Sequence, residues 1–365
     1  MEQQKSRTIE ESDRIILEIV ELCLAIDIHA FSFYKKLSAS SENPELIQFW
    51  DMIGDEEKTH VDFWKKALDF AKKGMLPQIF DNPEEILGYI QNAAEKVEYI
   101  VSDKDIDGKK VAESFLTAFH IEFYCLHPAL IPLFNVMNIL SPGNNPNDLY
   151  DEHIMNFLEV FIKYCGHEKA EMQLLAEIIQ RLWYNNRTLS RQCYMDELTG
   201  LMNRRGFFNL VQPLMELAKR NRRTIAVMLA DIDDFKKIND TFGHLSGDAA
   251  LTKIAEVFKS SFRASDLISR YGGEEFIVFC PEITPGAAEA LAEKFRKAVR
   301  EIPFHEKALS ISIGVVEAVP AQNCDCPEEF KKLTRMADTL LYQAKNSGKN
   351  KTVFANCNSG QNKVE

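Results

Sequence analysis

The spacing of apolar residues changes character near Asp196, and that change restricts the chain to two differently built halves. From Ser12 to about Trp183 apolar residues recur three and four apart, as in Ile15, Ile16, Ile19, Val20, Leu22 and Cys23, and again in Leu46, Phe49, Trp50 and Ile53. That is the stripe of amphipathic helices. Beyond Asp196 they gather into short continuous runs, TIAVMLADID (224–233), DLISRYGGEEFIVFC (266–280) and ALSISIGVVEAV (308–319), which read as strands. Helical patterns at 246–262, 285–301 and 327–346 fall between these runs, so the second half is expected to be an α/β or α+β sandwich with helices packed on a mixed sheet. The 365 residues also exceed what one core usually organises.

Within the first half, breaks rich in Pro, Gly, Asn or Asp fall at 38–45, 72–85, 102–110 and 140–152. They predict four main helices, with a shorter one near 83–100, in an antiparallel four-helix bundle over residues 12–170. DEEKTHV (55–61) echoes GHEKAEM (166–172), and HAFSFY (29–34) more distantly echoes FHIEFY (119–124), as two copies of a helical hairpin would. Residues 171–195 contain no Pro or Gly and keep a helical pattern into the second half, residues 196–356. Leu175, Leu182 and Leu189 are spaced by heptads there, which fits either a two-chain seam or a last bundle helix with a frayed end.

The net charge of −12 is unevenly placed: residues 196–365 hold 24 Lys+Arg against 23 Asp+Glu, and the first 195 hold 19 against 32. An acidic front half argues against a nucleic-acid partner, whereas a near-neutral back half can still take a phosphorylated ligand on a few placed cations. No apolar run is long enough to cross a membrane and the start, MEQQKSRTIEESDR, is polar, so a cytoplasmic protein is expected. Eight scattered cysteines, mostly in apolar stretches, suit reduced thiols. The one close pair, Cys324 and Cys326, lacks the further ligands that a zinc site needs.

Two carboxylate-rich places carry the chemistry. In RYGGEEF (270–276) adjacent glycines allow a tight turn and clear space for a ligand, and Glu274 and Glu275 then enter an apolar strand. In ADIDDF (230–235) a buried run ends in Asp231, Asp233 and Asp234. Asp231 and Glu274 would share a divalent cation if their strands were neighbours, which points to metal-assisted phosphoryl chemistry.

With DELTGLMNRRGF (196–207), LADIDDFKKINDTFGHLSGD (229–248), RASDLISRYGGEEF (263–276), SISIGV (310–315) and ADTLLYQAKNSGKN (337–350), the second half resembles the GGDEF family of diguanylate cyclases. The resemblance implies a nucleotidyl-cyclase-like fold in which two facing domains, one GTP on each, make cyclic di-GMP and release pyrophosphate. It implies a homodimer and two Mg2+ ions per active site, held by Asp231, Glu274 and the carbonyl of Ile232, with Glu275 as a further ligand or base. Asn239 and Asp248 match the guanine-reading positions. Lys345 and Lys349 match the triphosphate cations, and Phe235 and Lys236 line the phosphate loop. GGEEF keeps a carboxylate at its third position, so activity is expected; a receptor that binds GTP or cyclic di-GMP without turnover is the alternative. Arg263 and Asp266 form RxxD, which in the family marks a product-binding inhibitory site.

Six of eight histidines lie in the helical half, and Glu57-x-x-His60 sets a carboxylate and an imidazole on one helix face. Residues 31–64 look like the first hairpin of ferritin-like or rubrerythrin-like domains, where such pairs build di-iron sites. Asp27 or His29 stands in for the first-helix Glu, the second pair reads Glu168-x-x-Glu171, and His120, Glu122 and His167 are further candidate ligands. Iron there would make the bundle an oxygen or redox sensor; Glu and His on solvated faces of a dimerisation scaffold would give the same pattern.

Overall fold

The computed structural model describes residues 9–76, 79–80, 82–102, 110–125, 130–141, 146–165, 170–305 and 307–357. The chain divides into two compact units, Met1–Arg187 and Thr188–Glu365.

The first unit is helical: α1 (Ile9–Ser40), α2 (Pro44–Lys72), α3 (Pro83–Ser102), α4 (Val111–Cys125), α5 (Ile131–Leu140), α6 (Pro146–Cys165) and α7 (Ala170–Tyr194), the last of which contains the division between units. α1 buries Ile15, Ile19, Ile26, Ala30, Phe33 and Leu37 as it packs on α2, α3 and α4. Asn43 starts α2 by accepting the Glu45 N–H on its side chain, with Pro44 in the first turn. Trp50, Phe49, Phe115 and Phe157 form an interlocking aromatic core between α2, α4 and α6.

The expected helix count needs correcting. A single third main helix was expected between the breaks at 102–110 and 140–152, but this stretch carries two, α4 and α5. Pro132 sits in the first turn of α5, where its missing N–H is not needed, and it would break a helix running on through that position. GHEKAEM lies partly outside the described residues, so the hairpin repeat has no structural counterpart to compare.

The second unit contains α8 (Arg204–Arg220), β1 (Ile225–Ile232), α9 (Phe235–Phe242), α10 (His244–Ser261), β2 (Leu267–Arg270), β3 (Glu275–Cys280), α11 (Ala288–Arg300), β4 (Pro303–Phe304), β5 (Lys307–Ala308), β6 (Ile311–Ala318), α12 (Cys326–Asn346) and β7 (Thr352–Cys357). Its main sheet has the order β2-β3-β1-β6-β7, antiparallel except for the β6–β7 pair, and so is the mixed sheet expected. Every residue of β1 is buried, as a central strand covered on both faces must be. Ala226, Met228 and Ala230 join a core with Leu251, Ile254 and Phe258 of α10 and Phe295 of α11, while α12 packs on β1, β6 and β7 and touches α8. Among the described residues no helix is long and apolar enough to cross a membrane.

Candidate active site

The antiparallel pairing of β1 with β3 places Asp231 opposite Glu275, and the Ile232 N–H donates to the Glu274 carbonyl at 3.3 Å. The two acidic segments therefore meet at one end of the sheet. Asp231 is only 4% exposed, Glu274 is half-buried and Glu275 exposed. Burial pushes the Asp231 carboxyl up to about 6, and the charges of Glu274 and Glu275 add to that rise. Against it stands Lys345 of α12, whose Nζ lies 2.7 Å from Asp231 Oδ2. Carboxylates meeting at one partly buried sheet end favour a positive ion, and an oxygen donor set suits Mg2+.

The GG turn is clasped from behind. Arg270 donates from Nε and Nη2 to the Gly273 carbonyl at 3.0 and 2.9 Å, and from Nη1 to Asp196. Asp196 in turn accepts from the N–H and hydroxyl of Thr199.

Beyond β1 the two remaining aspartates do different work. Asp233 is buried and accepts from the Ser312 hydroxyl at 2.6 Å and the Asn350 N–H at 2.9 Å, which ties the loop after α12 to the end of β1. Asp234 adopts a left-handed backbone, φ 56°, at the entrance to α9 and faces Lys237 and Lys349, whose hydrogen bonds hold its carboxyl below the usual range. Lys349 and Asn350 themselves have φ of 60° and 48°, a costly conformation for side-chain-bearing residues. Phe235 is buried and Lys236 exposed in the first turn of α9.

Asn239 on α9 and Asp248 on α10 lie on either side of the tight link at Gly243. Any Cβ at Gly247 would collide with the Asn239 side-chain oxygen, so Gly247 is the reason that Asn239 can occupy its place. Asp248 is exposed. At RxxD, Arg263 is exposed, whereas Asp266 is turned inward. Its Oδ2 accepts the Arg263 N–H at 2.9 Å and it bonds the buried Cys280 thiol, with burial raising its carboxyl. Asp266 thus shapes the turn, an arrangement that the motif alone did not disclose.

The candidate ligands of the first unit do not all assemble. His120 is exposed on α4 and pairs with Tyr124 at 3.1 Å, Glu171 is exposed on α7 and His29 half-buried; His167 and Glu168 lie outside the described residues. Asp27, Glu57 and His60 do come together: one ligand atom from each lies within 4.8 Å of the others, and all three are buried. Glu122 is buried as well, hydrogen-bonded to Tyr34. Arg270, Asp196, Asp233 and Ser312 fall within the blocks 270–276, 196–207, 230–235 and 310–315 read from the sequence, but the tertiary contacts through which they act leave no local signal.

Residues 193–351 match the family described as diguanylate cyclase, GGDEF domain. Diguanylate cyclase A of Treponema denticola is 33% identical over 201 residues, 54% of this chain and 53% of that protein. Response regulator PleD of Caulobacter vibrioides is 41% identical over 162 residues, 43% of this chain and 35% of PleD. The chain thus spans about half or less of the length of these curated relatives. A solved structure of the coiled coil and GGDEF domain of DgcB from Caulobacter crescentus, in complex with c-di-GMP, aligns at 25% identity with a TM-score of 0.45, over 51% of this chain and 98% of that one.

Proposed function

We propose, from the match of residues 193–351 to the GGDEF family, that the chain is a diguanylate cyclase that condenses two GTP into cyclic di-GMP and two pyrophosphates. The observation that carries this reading is the meeting of Asp231, Glu274 and Glu275 at one sheet end with Lys345 beside them. Asp231, Glu274 and the Ile232 carbonyl would hold Mg2+, which when bound offsets triphosphate charge and lowers the pKa of the attacking 3′-hydroxyl.

The chain's own groups do the rest. Asn239 and Asp248 read the guanine edge, and Gly247 keeps the Asn239 amide in position. Lys345 and Lys349, parked on Asp231 and Asp234, swing onto the triphosphate. The first backbone amides of α9, at Phe235 and Lys236, face the same loop. The 3′-oxygen of one GTP bonds the α-phosphorus of the other as its α–β anhydride bond breaks; the reciprocal step closes the ring. Two copies of the chain must face each other for this, so their alignment is a natural point of control.

Control rests on two features. The helical first unit acts as a sensor of ferritin-like type through a metal near Asp27, Glu57 and His60, the three candidate ligands that meet. Arg263 and Asp266 form the product-inhibition site, with Arg263 the exposed member. The test is product analysis: the full chain with GTP and Mg2+ should yield cyclic di-GMP and pyrophosphate. GTP binding without either product would leave a receptor in place of an enzyme.

A further inference from the structure

The helical unit buries three acidic side chains and one imidazole among aromatic rings. Asp27 is 2% exposed, Glu57 0%, His60 1% and Glu122 1%. Neither Glu57 carboxylate oxygen accepts a hydrogen bond, although His60 Nδ1 stands 3.3 Å from Oε1. Leaving a carboxylate dry and unsatisfied is among the most expensive arrangements a core can hold. Meanwhile the neighbouring carboxylates are oriented from outside: Trp64 Nε1 donates to Asp27 Oδ2 at 2.8 Å, and the Tyr34 hydroxyl to Glu122 Oε1 at 2.6 Å. Outer groups that aim the ligating carboxylates are what metal sites use.

We infer that Asp27, Glu57 and His60, with Glu122 beside them, bind one divalent first-row transition ion. The donor set of one imidazole and carboxylates fits Mn2+, Fe2+, Co2+ or Zn2+ better than Mg2+ or Ca2+. Metal–ligand bonds of about 2.0–2.2 Å place donors roughly 3–4.4 Å apart, close to the 4.8 Å limit within which these three already lie.

This deepens the regulatory part of the proposed function, and its test reads metal rather than turnover. The full chain is stripped with chelator, reloaded anaerobically with Co2+, desalted and analysed for metal and visible absorption. About one Co2+ per chain with an imidazole-dependent d–d band is expected. His60→Gln and Glu57→Gln should each abolish the band, whereas Glu274→Gln should leave it intact whether or not the second unit is a cyclase. Glu57→Gln should also raise the melting temperature of the metal-free chain while eliminating the increase that Co2+ gives the unaltered chain, which separates lost binding from misfolding. A reloaded chain with no band, or a band that survives both substitutions, would overturn the site.

Discussion

Lys345 Nζ lies 2.7 Å from Asp231 Oδ2, an ammonium seated on the carboxylate that closes the central strand. Burial nevertheless keeps the Asp231 carboxyl up at about 6. A carboxyl raised in the folded state contributes stability below its ordinary value near 4 and loses it as pH rises through about 6. In chelator, Asp231→Asn should therefore be more stable than the unaltered chain at pH 8, by on the order of 1 kcal/mol after solvent screening. That advantage should vanish toward pH 4. Urea unfolding at the two pH values checks the sign, and the same substitution should abolish turnover.

Gly247→Ala should damage substrate recognition more than folding. The added methyl meets the Asn239 side-chain oxygen, and displacing that amide takes it from the guanine edge that the proposed function assigns to it. A rise in KM for GTP of roughly 10-fold or more is expected, the cost of losing a hydrogen bond to a polar substrate edge. Steady-state kinetics against GTP would show it, with circular dichroism little changed.

Arg270→Met should release the turn that carries Glu274. It removes both donors to Gly273 and the pairing with Asp196, while leaving the strand pairs of β3 with β1 intact. We expect kcat to fall about 10- to 100-fold, because small misplacements of reacting groups are costly, with KM for GTP much less affected.

Gly314→Ala probes how close α12 lies to the sheet. Its Cβ would strike the backbone of Ala337 and Leu341, and the helix that must retreat carries Lys345. A destabilisation of about 1–3 kcal/mol is expected from such overpacking, together with lost activity. Denaturant melts and turnover on the same sample test both.

What could be read from the sequence follows from what each feature depends on. β1, β3 and β6 are legible because buried strands are continuous apolar runs. β7 is not, being half-buried and interrupted by Asn356. α8 hides behind Pro213 in its interior, and α5 behind Pro132 in its first turn. Asp231 and Glu274 stand out as acids at the ends of apolar runs, but the clasp of Arg270 on Gly273 and the hold of Asp233 on the Lys349–Asn350 loop arise only once distant segments meet. In the helical unit the Glu57–His60 spacing is visible in one helix turn. Trp64 and Tyr34, which orient the neighbouring carboxylates, reach them across helices and leave no local signature.

The central claim is that Asp231 and Glu274 act as one acidic centre on bound GTP. Its most direct test is pyrophosphate and cyclic di-GMP release by the full chain at saturating Mg2+ and GTP, compared with Glu274→Gln. The account predicts two pyrophosphates per cyclic di-GMP from the unaltered chain and a loss of at least about 100-fold in the variant, as for removal of a group that stabilises charge in the transition state. Equal turnover by both chains would contradict it.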